Sequence, residues 1–263
     1  MSSRPRARRL RAYACAVLGV VACVAIARDG SADSEPAAST SRALPLEIGG
    51  FSRAAGALPK GWEPLTFAKI PRLTRYTPQQ DDGRWLIKAE SSASASGLIR
   101  VVPIDLRRHP IVRWSWKIDR VLAKGDIETK AGDDHPARLY IAFRYEPERV
   151  GLWKKTQFLA ARAILGDLPI GAIAYVWASR ADQTQTVDSP HSGSFAKVIP
   201  VRSGARDTGA WQTEERNVYA DYVREFGEEP PLVEAVAIMT DTDNTGESAT
   251  AYYGDIVFLP GSE

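Results

Sequence analysis

Ile111-Val112-Arg113-Trp114-Ser115-Trp116-Lys117-Ile118 places Val112, Trp114, Trp116 and Ile118 on one face and mostly polar side chains on the other. Alternation with a period of two marks a half-buried β-strand, because successive side chains leave a strand on opposite sides. The same pattern spreads in both directions. Arg84 to Glu90 is short and aromatic-rich behind Asp81-Asp82-Gly83, and Gly97 to Leu106 is β-branched and half apolar. Ala137 to Tyr145, Ala172 to Ser179, Ser194 to Val201, Val233 to Thr240 and Ala249 to Leu259 complete a set of eight strands. Strands this numerous, separated by loops of Gly, Pro, Asp and Ser, predict a mainly all-β protein, a jelly-roll-like β-sandwich. Two short inserted helices are expected. One runs from Leu152 to Leu165 before Gly166, and the other from Val218 to Phe226 before Gly227.

The N-terminus follows a different logic. Arg4, Arg6, Arg8, Arg9 and Arg11 precede an uncharged apolar run from Ala12 to Ala27. A basic segment followed by a short apolar one is a secretory signal pattern. The run falls short of the roughly 20 residues that a bilayer-spanning helix needs. Cleavage after Ala27 is the preferred expectation, and acylation of Cys23 after Val20-Val21-Ala22 is the alternative. Residues 28–43 read as a flexible linker and 44–260 as one domain. The protein is thereby expected in the periplasm or outside the cell, touching membrane only through its signal peptide or a lipid on Cys23.

The formal charge of +2 comes from 34 basic and 32 acidic residues. Five of those arginines, and no acid, lie in residues 1–27. The rest holds 29 basic and 32 acidic residues, a net charge of −3. With no basic stripe left, nucleic acid is excluded as a partner. Both cysteines, Cys15 and Cys23, lie in the signal region, so the domain is expected to rest on its core and not on disulfides.

Two acid-rich loops lead into strands. Gly132-Asp133-Asp134-His135-Pro136 runs into Ala137, and Asp241-Thr242-Asp243-Asn244-Thr245-Gly246 follows Met239-Thr240. The second resembles the start of a calcium loop, with oxygen ligands at alternate positions and a glycine for the turn. Its twelfth position is Tyr252, where an EF-hand needs Glu. Asp241, Asp243 and Asp255 are the candidate metal ligands, with calcium as the ion; the alternative is a turn whose Asp and Asn cap their own backbone. Asp133, Asp134, His135 and Trp116 are the candidate ligand-binding residues for a glycan or other envelope ligand. Trp116 and Trp114 could instead be core, and Asp134 could bond Arg138 or backbone amides. A carbohydrate-active hydrolase or lyase would use Asp133, Asp134 or Asp241. A structural envelope protein without a small ligand is the third reading. His109, His135 and His191 are too scattered for zinc, and Asp188-Ser189-Pro190-His191 lacks the context of a hydrolase triad.

Trp114-Ser115-Trp116-Lys117-Ile118, Asp133-Asp134 running into Arg138-Leu139-Tyr140-Ile141-Ala142-Phe143, Ala237 to Thr245, and Tyr253-Gly254-Asp255-Ile256 occur in that order. Over residues 47 to 260 the chain thus resembles the bacterial exported proteins of the domain of unknown function 3047 family. The resemblance implies an envelope or secreted β-sandwich and carries no site residue with it.

Overall fold

The computed structural model describes residues 43–144, 146 and 171–261. The strands are β1 (Leu46–Gly49), β2 (Trp62–Leu65), β3 (Arg75–Asp81), β4 (Arg84–Ser92), β5 (Ala95–Ile104), β6 (Ile111–Ile118) and β7 (Arg138–Phe143). They continue with β8 (Ala172–Ala178), β9 (Val187–Ser189), β10 (Gly193–Ser203), β11 (Gln212–Asn217), β12 (Val233–Asp241) and β13 (Ser248–Leu259). One sheet has the order β11-β6-β13-β4-β3 with β1 added on β13. The other has the order β2-β5-β12-β7-β8-β10-β9. Neighbours are antiparallel except β8 and β10, which are parallel.

The alternation of β6 sends Trp114 and Trp116 inward as expected, and both are buried. Across the core Trp114 stacks on Tyr175 of the second sheet at 5.4 Å, and Trp116 meets Trp177 at 6.1 Å. These contacts join the two sheets into a β-sandwich. β8 is buried along its whole length. Its inner residues Ile173, Tyr175 and Trp177 join the main core, and its outer residues Ala174, Val176 and Ala178 pack with Ile127 and Val198 in a second cluster.

One α-helix stands among the described residues, α1 (Val218–Phe226). Asn217 caps its start by accepting from the Ala220 amide at 2.9 Å. Gly227 ends it at φ 72°, a left-handed conformation that suits glycine, and its amide bonds the Val223 carbonyl. Buried Asp221 ties the helix to the sandwich, accepting from Tyr175 Oη at 2.8 Å and from both arms of Arg216. Asn217→Ala is expected to cost about 1 kcal/mol of stability, measured by urea unfolding, because it removes the cap. The helix expected at Leu152 to Leu165 lies outside the described residues. Among the described residues no helix is long and apolar enough to cross a membrane.

Candidate functional site

β7 and β12 are antiparallel neighbours, with Met239 opposite Arg138. The chain entering β7 and the chain leaving β12 therefore lie at the same end of the sheet. This places the 132–137 loop against the 241–246 turn, although more than 100 residues separate them. The first loop is drawn tight by amides of Asp126 and Asp134 that both bond the Gly132 carbonyl at 2.7 Å. A Cβ on Gly132 would stand 2.6 Å from that of Asp126, so only glycine fits there.

Asp134 is 0% exposed. Its carboxylate accepts from the Thr245 amide at 2.6 Å and from the amide and side chain of Asn244. It therefore clasps the opposite turn. Asp241 is 2% exposed and accepts from the His135 amide at 3.1 Å. Arg138 grips Asp241 with two arms, through Nε at 3.0 Å and through Nη2. It also donates to the Asp133 backbone carbonyl, the Asp133 carboxylate and Tyr140 Oη. All three guanidinium nitrogens are thus engaged in a site closed to water.

His135 Nε2 lies 3.1 Å from Asp133 Oδ1, and His191 Nε2, from the turn between β9 and β10, lies 3.6 Å from Asp133 Oδ2. Burial and the nearby Arg138 push the His135 pKa down. Its neutral ring then donates through Nε2, leaving Nδ1 as a buried acceptor with no hydrogen-bond partner. Burial pushes the Asp133 carboxyl up, but Arg138, His135 and His191 outweigh it and hold it below the usual range. Asp241 goes the other way. Burial, with Asp134 and Asp133 adding to it against the pull of Arg138, raises it to about 7. Asp243 is raised too, by burial and then by Asp134. One carboxylate oxygen from each of Asp134, Asp241 and Asp243 lies within 4.8 Å of the others.

The sequence expectations meet this geometry unevenly. Asp133, Asp134, His135, Asp241 and Asp243 gather in one cluster. Asp255 does not join it. β13 carries that residue seven positions beyond Ser248, roughly 23 Å along the strand, where it accepts from the amide and hydroxyl of Ser52. Trp116 is corrected from ligand-binding residue to core. It is fully buried, edge-on to Trp114 at 5.3 Å, and its Nε1 donates to Glu214. Asp134 takes the backbone-amide alternative, and Arg138 serves Asp133 and Asp241 instead. The roles of Tyr140 and His191 escaped the sequence reading, since nothing local links the turn at 191 to the loop at 133.

A second constellation lies on the outer face of the first sheet. Trp211, just before β11, is 40% exposed. Its Nε1 donates to Asp81 Oδ2 at 3.2 Å, and Lys117 Nζ bonds the same oxygen at 3.0 Å. That ammonium lies 4.5 Å from the Tyr252 ring centre and 5.3 Å from the Trp211 ring centre. The bonds from Lys117 and Trp211 hold the Asp81 carboxyl below its ordinary pKa. Asp81, Lys117, Trp211 and Tyr252 come from four separate stretches, and no local pattern in the sequence links them.

The solved structures similar to the chain include three that share only low identity with it. The Endo-D glycoside hydrolase domain of Streptococcus pneumoniae R6 shares 9% identity over 77% of this chain, with a TM-score of 0.35; the chain spans 22% of that protein's length. A family 29 carbohydrate-binding module shares 11% over 84% of this chain and 94% of its own, with a TM-score of 0.35. Cellulose induced protein Cip1 shares 13% over 82% of this chain and 100% of its own, with a TM-score of 0.39. No curated protein matches the chain. Residues 60–257 match the family described as protein of unknown function DUF3047, as the order of strand and acid-loop motifs anticipated, and the chain belongs to that family.

Proposed function

We propose that the protein is a non-catalytic glycan-binding β-sandwich of jelly-roll type, exported to the periplasm or beyond, with Cys23 acylation as the alternative to cleavage after Ala27. The observation that carries this reading is the group on the outer face of the first sheet, exposed Trp211 with half-buried Tyr252, Lys117 and Asp81 beside it. An aromatic ring offers an apolar face to the C–H side of a sugar, and charged groups beside it bond the hydroxyls. The hydrolase or lyase reading loses its acids to burial. Asp133, Asp134 and Asp241 are bonded within the protein and shut from solvent, so a glycosidic bond has no access to them. Glycan-array screening and polysaccharide pull-down of the exported protein are expected to find a binder. Blank results on every glycan would end the proposal.

We also propose that Asp134, Asp241 and Asp243 hold a calcium ion that steadies the junction of the two acid loops. Arg138 bonds the carboxylates of Asp133 and Asp241 but not those of Asp134 or Asp243. Calcium–oxygen distances of about 2.3–2.6 Å fit ligand oxygens lying within 4.8 Å of one another. The raised carboxyls set the sign of the pH effect. A folded-state pKa near 7 for Asp241 stands above the unfolded value of about 3.9. The stability this contributes is present below about pH 4 and is lost as pH rises toward 7. Without calcium the protein is therefore expected to melt lower at pH 8 than at pH 5, as far as this group decides it. Calcium at a hundredfold excess over its dissociation constant adds about 2.7 kcal/mol, and its effect should be larger at pH 8. Differential scanning calorimetry with calcium and with chelator reads both. Asp134→Asn is expected to abolish the calcium response while leaving a cooperative melt. A melt that ignores calcium at both pH values would sink the proposal.

A further inference from the structure

We infer that the glycan taken by this protein is an uncharged chain laid across strands β3, β4, β13 and β6 on the outer face of the first sheet. This rests on the glycan-binding reading and names its ligand class. The register places Thr77 opposite Lys88, Lys88 opposite Tyr252, and Tyr252 opposite Lys117. These four positions form one row across the sheet, on the order of 14 Å long at about 4.8 Å per strand. Trp211 stands beyond Lys117 at the end of the row. All four side chains face away from the core, because Ile87, Ala89, Trp116 and Tyr253 on the alternate positions are part of it and Tyr76, next to Thr77, packs against it.

The hairpin between β3 and β4 walls this row on one side. β13 pairs with β4 only from Ile87 to Ser92, so the hairpin tip carries no ladder to β13. In the sheet order β3 is three strands away from β6, yet Asp81 of β3 bonds Lys117 of β6 and Trp211. The tip must therefore fold over the outer face. Leu86 records that fold. It shares the face of Lys88 and lies outside both core clusters, yet it is only 3% exposed. The bonds from Asp81 also hold Trp211 and Lys117 in place before any ligand arrives, which reduces the ordering cost of binding.

The charges select the ligand. Lys117 is paired with Asp81 at 3.0 Å, and Glu90 is shared by Lys88 at 3.0 Å and Arg75 at 2.6 Å. Each cation on the row already has a carboxylate. An anionic glycan would have to displace Asp81 or Glu90, or lie beside them, and like charges in contact are costly. An uncharged sugar leaves the pairs intact. It can accept from the remaining donors of the two ammonium groups and donate to the carboxylate oxygens.

Isothermal titration calorimetry of the full exported protein tests this with three probes: cellohexaose, xylohexaose and hexagalacturonate. One of the uncharged hexasaccharides is expected to bind, with an affinity that changes less than twofold between 20 and 500 mM sodium chloride. Trp211→Ala and Tyr252→Ala are each expected to weaken it at least tenfold with an unchanged melt. Trp211→Leu, which keeps apolar bulk, serves if the alanine variant fails to fold and should weaken binding as well. Preference for hexagalacturonate with steep salt dependence would overturn the inference and leave glycan binding standing. So would uncharged-sugar binding that survives both substitutions. No binding to any of these probes would overturn the inference, and a blank glycan array would take the parent reading with it.

Discussion

Replacing Arg138 with methionine is expected to lower the melting temperature by about 10 °C. Removing one partner of a buried ion pair typically costs about 3–5 kcal/mol, and each kcal/mol moves the melt of a domain this size by roughly 2–4 °C. The cost here comes from what is left behind. Asp241 would lose both arms of its partner, Tyr140 Oη and the Asp133 carbonyl would each lose a donor, and Asp133 would keep only its histidines. Lysine at position 138 should recover only part of the loss, because a single ammonium cannot reproduce a planar fork. The pH dependence identifies the cause. Arg138 pulls the Asp241 carboxyl down even though burial raises it to about 7, so without the guanidinium it takes up a proton already near neutrality; the difference between variant and parent should shrink as pH falls below 7 and widen above it. Thermal melts by circular dichroism at pH 4 and pH 8 read both effects. A variant that melts with the parent at pH 8 would show that the cluster holds itself together without the guanidinium.

Trp116→Ala carries a similar expected cost, about 3–5 kcal/mol, for a different reason. Truncating a buried tryptophan removes its transfer energy and leaves a cavity that the surroundings only partly fill. Trp116 is the hinge of an aromatic chain that runs from Trp114 through Trp116 to Trp177, so its loss loosens the contact between sheets as well as the interior of one. Glu214 keeps Arg202 as a partner when the indole N–H is gone, which limits the damage to packing. Urea unfolding gives the cost directly. Sugar affinity, measured well below the lowered melt, should stay within a few-fold of the parent. A loss of binding with an unchanged melt would instead place Trp116 at the ligand.

The strands that were legible in the sequence are those with neighbours on both sides. β4, β6, β7, β8, β12 and β13 each carry a long apolar or alternating run, because such strands bury at least one whole face. The strands that escaped lie mostly at the edges. β11 and β3 border the first sheet, β2 and β9 border the second, and β1 adds on β13. Edge strands tend to carry charge and proline, which discourage pairing with other chains. Gln212-Thr213-Glu214-Glu215-Arg216-Asn217 and the prolines at 64 and 78 fit that rule. By apolar pattern alone they look like loops.

Local spacing determined the central strands, the helix at Val218–Phe226 and the presence of two acid loops, since each depends on residues only a few positions apart. Tertiary structure alone decided that Asp134 closes on the turn at Thr245, that Arg138 stands between Asp133 and Asp241, and that Asp81 reaches Trp211. Those meetings depend on which strands become neighbours and on where a hairpin folds over. Long-range pairing of that kind is set by burial across the whole sandwich, a quantity no short stretch of chain contains.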